Sequence, residues 1–377
     1  MQISKIRERQ KVYYNLFVFL YLVAVICNNL YCPQLNHQNL HKGIQTFFKN
    51  MVIFTVSETI SENLRVLVKK KSESNPNYGY APDKRPIKEL LDYGIVNVDK
   101  PSGPTSHQVS SYVKDILNIG KCGHSGTLDP KVTGVLTVAL GRATRVVDAL
   151  LKIGKEYVCV MHLHKEVDEK EIIRIFKEFE GEIEQLPPVK SAIKRRLRKR
   201  TVYYIKLLEI KGKDVLFVVG CQAGTYIRKL VHDMGQKLGT GAHMAELRRT
   251  RVGHFAEDSS FTLQDITDAF YYYQKSNEIF LRNIVRPIEE AVVHLPHVWV
   301  MDNCTATVCH GADINIPGIS KLHSNIEKES LVAVMTLKDE LIAFGISHMT
   351  SDEMMREEKG KAVKVTRVFM KPGIYPK

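Results

Sequence analysis

The sequence has no Cys-x-x-Cys pair, no complete glycine-rich phosphate loop and no apolar run of membrane-spanning length. Each absence closes off a class of function. Its seven cysteines are odd in number and irregularly spaced, which argues against a disulfide framework and for reduced thiols in a cytosolic compartment. Cys304, Cys309 and His310, even with His294 and His297 nearby, fit no common zinc spacing, so no metal is expected. Gly239-Thr240-Gly241 is half of a dinucleotide fingerprint without its third glycine and preceding strand, and is set aside. The apolar run from Leu16 to Cys27, behind Lys5, Arg7, Arg9 and Lys11, imitates a signal peptide. It falls short of the about twenty residues that a membrane helix needs. Met51 opens a stretch more like the rest of the protein, so residues 1–50 are expected to be a non-native upstream extension. A membrane anchor is the alternative, and no functional membrane association is expected.

What the chain does have is length and positive charge. Its 377 residues, 44% of them hydrophobic, suffice for two domains with real cores. The net charge of +13, from 54 Lys plus Arg against 41 Asp plus Glu, suits a polyanionic partner, because each neutralised phosphate releases condensed counterions. Residues 51–86 form an N-terminal arm, its second half polar and broken by prolines. Gly94–Val98 and Tyr157–Leu163 are predicted strands, and Thr201–Ile210 with Asp214–Val219 a strand pair. Ser106 is expected to cap a helix with Val109, Val113 and Ile116 on one face. Glu169–Phe179 has amphipathic helical spacing, and Ile227, Val231, Met234 and Leu238 mark another helix face. Strands and helices do not alternate regularly, which predicts an α+β fold with a mixed sheet. A boundary falls near Ile288–Leu295, beyond which short β-rich runs such as Leu331–Met335 and Leu341–Ile346 are separated by turns.

The stretch Gly123-His124-Ser125-Gly126-Thr127-Leu128-Asp129-Pro130 places one carboxylate in a loop of small and hydrogen-bonding residues. Asp before Pro is biased away from helix, so Asp129 is expected in an extended or turn conformation, held by the apolar run Val135–Leu140. A plain turn is the competing reading. The octapeptide resembles the signature of the TruB and dyskerin group of RNA pseudouridine synthases. Four further blocks match in order: Asn97–His107, Lys155-Glu156-Tyr157, Gly224–Arg228 and Ala245–Arg249. The tail, with Gly311-Ala312-Asp313 and Gly318-Ile319, is similar to a PUA domain, a small RNA-binding β-barrel. The organisation expected is therefore an extension (1–50), an arm (51–86), a synthase domain (87–290) and a PUA domain (291–377).

The resemblance implies isomerisation of uridine to pseudouridine, which needs no cofactor. Asp129 becomes the nucleophile or base at the sugar, and Arg228 the guanidinium that keeps it ionised. Tyr157 becomes the aromatic platform for the flipped uracil and a candidate for proton transfer at C5. Tyr226 and Leu247 would line the same pocket, and His107 would help displace the target base or shape the entry. Lys100 is grouped with these as a brace for the loop. Taken as isolated residues, Tyr157, Tyr226 and Leu247 read equally as core. The basic run that includes Lys190, Lys194, Arg195, Arg196, Arg198 and Arg200 resembles the family's RNA-facing segment, with solvated surface as the alternative.

No Thr/Asp/Gly insertion follows the Lys-x-Tyr element, as in the dyskerin-like branch. That branch works inside H/ACA ribonucleoproteins with a guide RNA, a small scaffold protein, a β-barrel protein and a kink-turn-binding protein. The expected substrate is ribosomal RNA. The alternatives are a stand-alone synthase for the T-loop of transfer RNA and a non-catalytic RNA scaffold. Without a Lys-rich tail an archaeal, cytoplasmic protein is expected, and a nucleolar one if the source is eukaryotic.

Overall fold

The computed structural model describes residues 65–186 and 196–376. The expected extension at 1–50, and Lys190, Lys194 and Arg195, lie outside the described residues. The described chain begins with β1 (Val66–Val68), α1 (Ile87–Tyr93), β2 (Gly94–Lys100), α2 (Ser106–Ile116), β3 (Cys122–His124) and β4 (Thr133–Leu140). Next come α3 (Val147–Leu151), β5 (Lys155–Leu163), α4 (Glu169–Glu178) and β6 (Gly181–Gln185), then β7 (Arg198–Lys211) and β8 (Asp214–Cys221). The first half closes with α5 (Ile227–Lys237), β9 (Ala242–Val252), β10 (Phe255–Ala256), α6 (Leu263–Gln274), α7 (Ile279–Ile284) and β11 (Val285–Pro287). These strands make one mixed sheet in the order β11-β2-β4-β9-β5-β8-β7-β6, with β3 beside β4 and β10 beside β9. Only its β4–β9 pair is parallel among the described pairings.

The reason β4 sits at the centre is its composition. Side chains alternate across a strand, and both faces of β4 are apolar. Val135 and Ala139 join one buried cluster with Ile95, while Leu136, Val138 and Leu140 join another with Val96 and Val98. Helix α4 shows the same logic at helical period, burying Ile172, Ile175 and Phe176 behind an Asp168 side chain that accepts the Lys170 amide hydrogen at 2.8 Å. The expected strands, helices and α+β class are found.

The second half contains β12 (His297–Val300), α8 (Asp302–Cys309), β13 (Ile314–Asn315), β14 (Ile319–His323), β15 (Leu331–Met335), β16 (Leu341–Ser347), α9 (Ser351–Arg356) and β17 (Lys361–Val368). Its curled sheet has the order β1-β14-β12-β15-β16-β17-β13. The arm thus supplies an edge strand to the second sheet. Val66, Leu67 and Val68 pair antiparallel with His323, Leu322 and Lys321, and Tyr78 packs edge-on against Tyr375. The two halves also share one apolar core, in which Ile95, Val135 and Leu150 of the first sheet's side pack with Trp299, Phe344 and Phe369 of the second.

Histidines gather along this seam. His254 and His294 are half-buried, and neither His254 Nε2 nor His294 Nδ1 has a hydrogen-bond partner among the described residues. Burial, then Arg251 and Arg286, pushes the His254 imidazole down to about 4. Burial, then His254, His297 and Lys155, does the same for His294, to about 4. His323, stacked on His297 at 4.9 Å, is also pushed down to about 4 by burial, His297 and Lys321. Each folded state therefore binds fewer protons than the unfolded chain below about pH 6.5. The stability these neutral imidazoles represent is complete above that value and is lost as pH falls toward 4. A shift from 6.5 to about 4 corresponds to at most about 3 to 4 kcal/mol for each group. Urea unfolding between pH 4.5 and 7 should show this, and His294→Asn should flatten the slope by up to about 1.4 kcal/mol per pH unit. An unchanged slope in that variant would remove His294 from the account.

Candidate active site

Asp129 lies in the loop between β3 and β4, with neither helical nor strand geometry. The backbone on both sides of it is pinned. On one side the Leu128 amide donates to Ser106 Oγ at 2.8 Å. On the other, the Val132 amide donates to the Asp129 carbonyl and the Gly103 amide to the Pro130 carbonyl, both at 2.9 Å. Ser106 does not cap α2, contrary to the sequence reading. Thr105 does so, in a reciprocal capping box with Gln108, which frees the Ser106 hydroxyl to tie the helix to the loop. The Asp129 side chain itself stays about half exposed, at 52%. A carboxylate held out of a fixed loop is the arrangement that a nucleophile needs.

Lys100 lies under this loop and does not reach the surface. Its side chain is fully buried, and its ammonium donates to the carbonyls of Pro101 (2.9 Å), Pro130 (2.9 Å) and Val132 (2.8 Å). All three protons are used, so Lys100 contacts the loop and has none left for a substrate. Burial, then Arg249, lowers the affinity of this amine for its proton. Bracing is the role its geometry supports.

Helix α5 brings Arg228 to Asp129, and the guanidinium Nη2 donates to the carboxylate Oδ2. The start of that helix is fixed by Gln185, the last residue of β6, which is buried. Gln185 Oε1 accepts the Tyr226 amide hydrogen at 2.9 Å, and its Nε2 donates to the Tyr226 carbonyl at 3.2 Å. Tyr226 is half-buried immediately before the helix. Arg198 opens β7 opposite Gln185. Arg200 lies against Gly224, whose φ of +83° suits glycine and where a Cβ would stand 3.1 Å from the Arg200 Nε. Arg196 is exposed, and Arg198 and Arg200 are half-buried. The described part of the basic run therefore borders the turn that carries Tyr226 and leads into α5 and Arg228.

Tyr157 is half-buried on β5, opposite Arg249 of β9. Burial pushes its phenol up, while the charge of Arg249 and a hydrogen bond with it pull the other way. Arg249 is the buried hub of the site, 1% exposed. Its Nε donates to the Val135 carbonyl at 2.7 Å and its Nη2 to the Gly126 carbonyl at 3.4 Å, so it joins Tyr157 to the Asp129 loop. Gly134 allows the two strands to approach: it has φ +102°, and a Cβ there would fall 2.1 Å from the Arg249 carbonyl oxygen. Leu247 is half-buried, opposite Cys159 and two residues before Arg249. His107 is exposed on the second residue of α2, at the rim of a polar groove.

The sequence reading passed over Arg249, Gln185 and Glu156. Glu156 accepts hydrogen bonds from the Tyr204 hydroxyl and from Thr250 Oγ1, the latter at 2.7 Å, and so anchors the strand beside Tyr157. Arg249 and Glu156 stand inside motifs already singled out, Arg249 between Arg248 and Thr250 and Glu156 between Lys155 and Tyr157, where nothing set them apart from surface charges. Nothing in the sequence marked Gln185.

Comparison with known proteins gives a consistent picture. Residues 114–227 match the TruB family pseudouridylate synthase N-terminal domain, and residues 228–293 the tRNA pseudouridylate synthase B C-terminal domain. Residues 296–369 match the PUA domain, and residues 58–110 the DKCLD (NUC011) domain. A probable tRNA pseudouridine synthase B of Pyrococcus furiosus is 57% identical over 315 residues, 83% of this chain and 93% of the relative. One from Nanoarchaeum equitans is 55% identical over 317 residues, 84% and 91% of the two chains. Among solved structures, a chain of a Cbf5-Nop10-Gar1 complex is similar with a TM-score of 0.81 and 55% identity, covering 84% of this chain and 98% of that one. A chain of an H/ACA ribonucleoprotein bound to a substrate RNA containing 2′-deoxyuridine has a TM-score of 0.80 and 53% identity over the same shares.

Proposed function

The chain belongs to the TruB family of pseudouridylate synthases, and from that premise we propose that it is the catalytic subunit of an H/ACA ribonucleoprotein acting on ribosomal RNA. The observation that carries the chemical part is the Asp129–Arg228 ion pair in a pinned, solvent-reachable loop. The isomerisation breaks the C1′–N1 bond of uridine, turns the uracil and joins C1′ to C5. The proton on C5 leaves and N1 gains one, so atoms and charge balance without a cofactor. Asp129 acts at the sugar as nucleophile or base, and Arg228 favours its ionised form and fixes its direction.

Tyr157 offers its ring to the uracil, with its hydroxyl oriented by Arg249. Tyr226 and Leu247 line the same pocket, and His107 stands at the entry. Stacking on an exposed base is worth about 1–3 kcal/mol. Tyr157→Leu should therefore weaken binding of target RNA by about 5- to 150-fold, while Tyr157→Phe keeps the affinity and loses turnover. Filter binding and tritium release, measured on both variants, separate these outcomes. Equal loss of affinity in the two would assign the effect to the hydroxyl instead of the ring.

The assembly part rests on the neighbours in H/ACA complexes and on the second domain. In this reading Arg196, Arg198 and Arg200, with Lys190, Lys194 and Arg195, contact RNA phosphates. The guide RNA selects the uridine, partner proteins like those of the solved complexes complete the particle, and it works in an archaeal cytoplasm. The relatives' name favours a second reading, a transfer-RNA synthase. Incubating the full chain with a guided ribosomal RNA fragment and, separately, with bare transfer RNA tests the choice. Turnover of the transfer RNA alone would support the second reading and overturn the first.

A further inference from the structure

One groove beside the Asp129 loop has no part in that chemistry apart from His107 at its rim. It has a volume of about 280 Å³ and is open to solvent between α2 and β3. From the helix, His107, Ser110, Ser111 and Lys114 line it at spacings of three, one and three residues, which put them on one face. Cys122, Gly123 and His124 of β3 face them. No carboxylate lines the groove. The nearest acid in sequence is Asp115, whose carboxylate rests 3.2 Å from the Lys114 ammonium in an exposed contact. Such a contact is worth little and yields readily to a stronger anion.

The Ser110 hydroxyl is buried and donates to the Ser106 carbonyl at 2.9 Å, which leaves the Lys114 ammonium and the Ser111 hydroxyl, groups that contact phosphate oxygens in nucleic-acid complexes. His124 Nδ1 is buried and has no hydrogen-bond partner among the described residues. The volume lies near the lower bound of about 300 Å³ for small-molecule pockets. A phosphate with its sugar fits that scale better than a folded protein segment.

Position decides which nucleic acid is meant. The groove is built from the two elements that hold the Asp129 loop. Ser106, at the start of the helix, binds Leu128, and β3 leads from His124 through five residues to Asp129. Five residues span at most about 18 Å, a stretch that a few nucleotides of one strand cover. We propose that the groove between α2 and β3 is a phosphate subsite for the substrate strand beside the target uridine, with Lys114 and Ser111 as its donors. This rests on the synthase reading above.

The test uses the complete particle and a substrate RNA in which single phosphates near the target uridine are replaced, one at a time, by neutral methylphosphonates. One replacement should weaken binding to the unaltered protein by about tenfold. Lys114→Gln should weaken unsubstituted RNA to a similar degree, reduce the slope of log affinity against log salt by about 0.7 to 0.9, and be insensitive to that same replacement. Ser111→Asp, at a partly exposed position, should repel the strand and give a larger loss of affinity. If Lys114→Gln leaves affinity and salt slope unchanged while the unaltered protein turns over RNA normally, the subsite is wrong and the synthase reading stands. If both variants keep RNA affinity but lose an accessory protein from the particle, the groove is a protein contact and the proposal is overturned. Failure of the unaltered protein to release tritium would count against the synthase reading instead.

Discussion

Replacing Asp129 with Asn is expected to cut tritium release from C5-labelled uridine by at least about a thousandfold, with RNA binding retained. Removing a nucleophile outright costs about a millionfold in well-studied enzymes, so a thousandfold is a conservative floor. Asn preserves the shape of the side chain, and the hydrogen bonds that pin the loop use backbone groups of Asp129, Leu128 and Pro130. The ion pair with Arg228 is more than half exposed on both sides, at 57% and 52%. An exposed pair contributes about 0–1 kcal/mol to stability. The variant should therefore unfold almost where the parent does. Thermal melting beside tritium release separates the two effects, and a variant that melts early would make Asp129 structural.

The second large effect lies far from that chemistry. Glu289→Ala should destabilise the chain by about 3–5 kcal/mol, because it strands a buried guanidinium. Arg85 and Glu289 form a two-pronged pair, Nη2 to Oε1 at 2.8 Å and Nη1 to Oε2 at 3.1 Å, with side chains only 7% and 10% exposed. Glu289 Oε1 also accepts the Leu341 amide hydrogen at 2.9 Å. One carboxylate thus ties the arm, the first sheet's end and the second sheet together. Glu340 lies beside them and accepts hydrogen bonds from the Tyr375 hydroxyl (2.6 Å) and the Tyr80 amide (3.1 Å). Burial opposes the charge on Arg85, yet Glu289 outweighs it and the guanidinium holds its proton more tightly than usual. Arg85→Met combined with Glu289→Gln keeps an acceptor for Leu341 and removes the stranded charge. Urea unfolding should find that double variant more stable than Glu289→Ala alone. Equal stability would mean that the pair acts independently of its charge.

Much of this arrangement was legible in the sequence because it rests on local signals. The apolar run Val135–Leu140 announced a buried element, which is β4, helical spacing announced α4 and α5, and the Asp129-Pro130 pair announced a non-helical loop. The misplaced cap has a local cause too. Thr105 and Ser106 are both good capping residues, and the Gln108 that completes a capping box with Thr105, together with the bond from Leu128 to Ser106, decides between them. Other features depend on partners distant in sequence, and no local pattern carries them. Lys100 spends its protons on carbonyls up to Val132, Arg249 reaches Gly126 and Val135, and Arg85 pairs with Glu289. A buried cation reads as a surface cation until its acceptors are known. The arm was misleading for the same reason, since three apolar residues at Val66–Val68 say nothing of the sheet edge that β1 joins.

The central claim is that this chain isomerises a uridine chosen by a guide. The most direct measurement is single-turnover tritium release from one C5-labelled uridine in a ribosomal RNA fragment, with the full chain, partner proteins and either a matched guide or one mismatched beside the target. The expected result is one tritium released per target with the matched guide and essentially none with the mismatched guide. Equal release with both, or release without any guide, would contradict guided selection. Absence of release from a folded, RNA-bound particle would contradict the catalytic role of Asp129 itself.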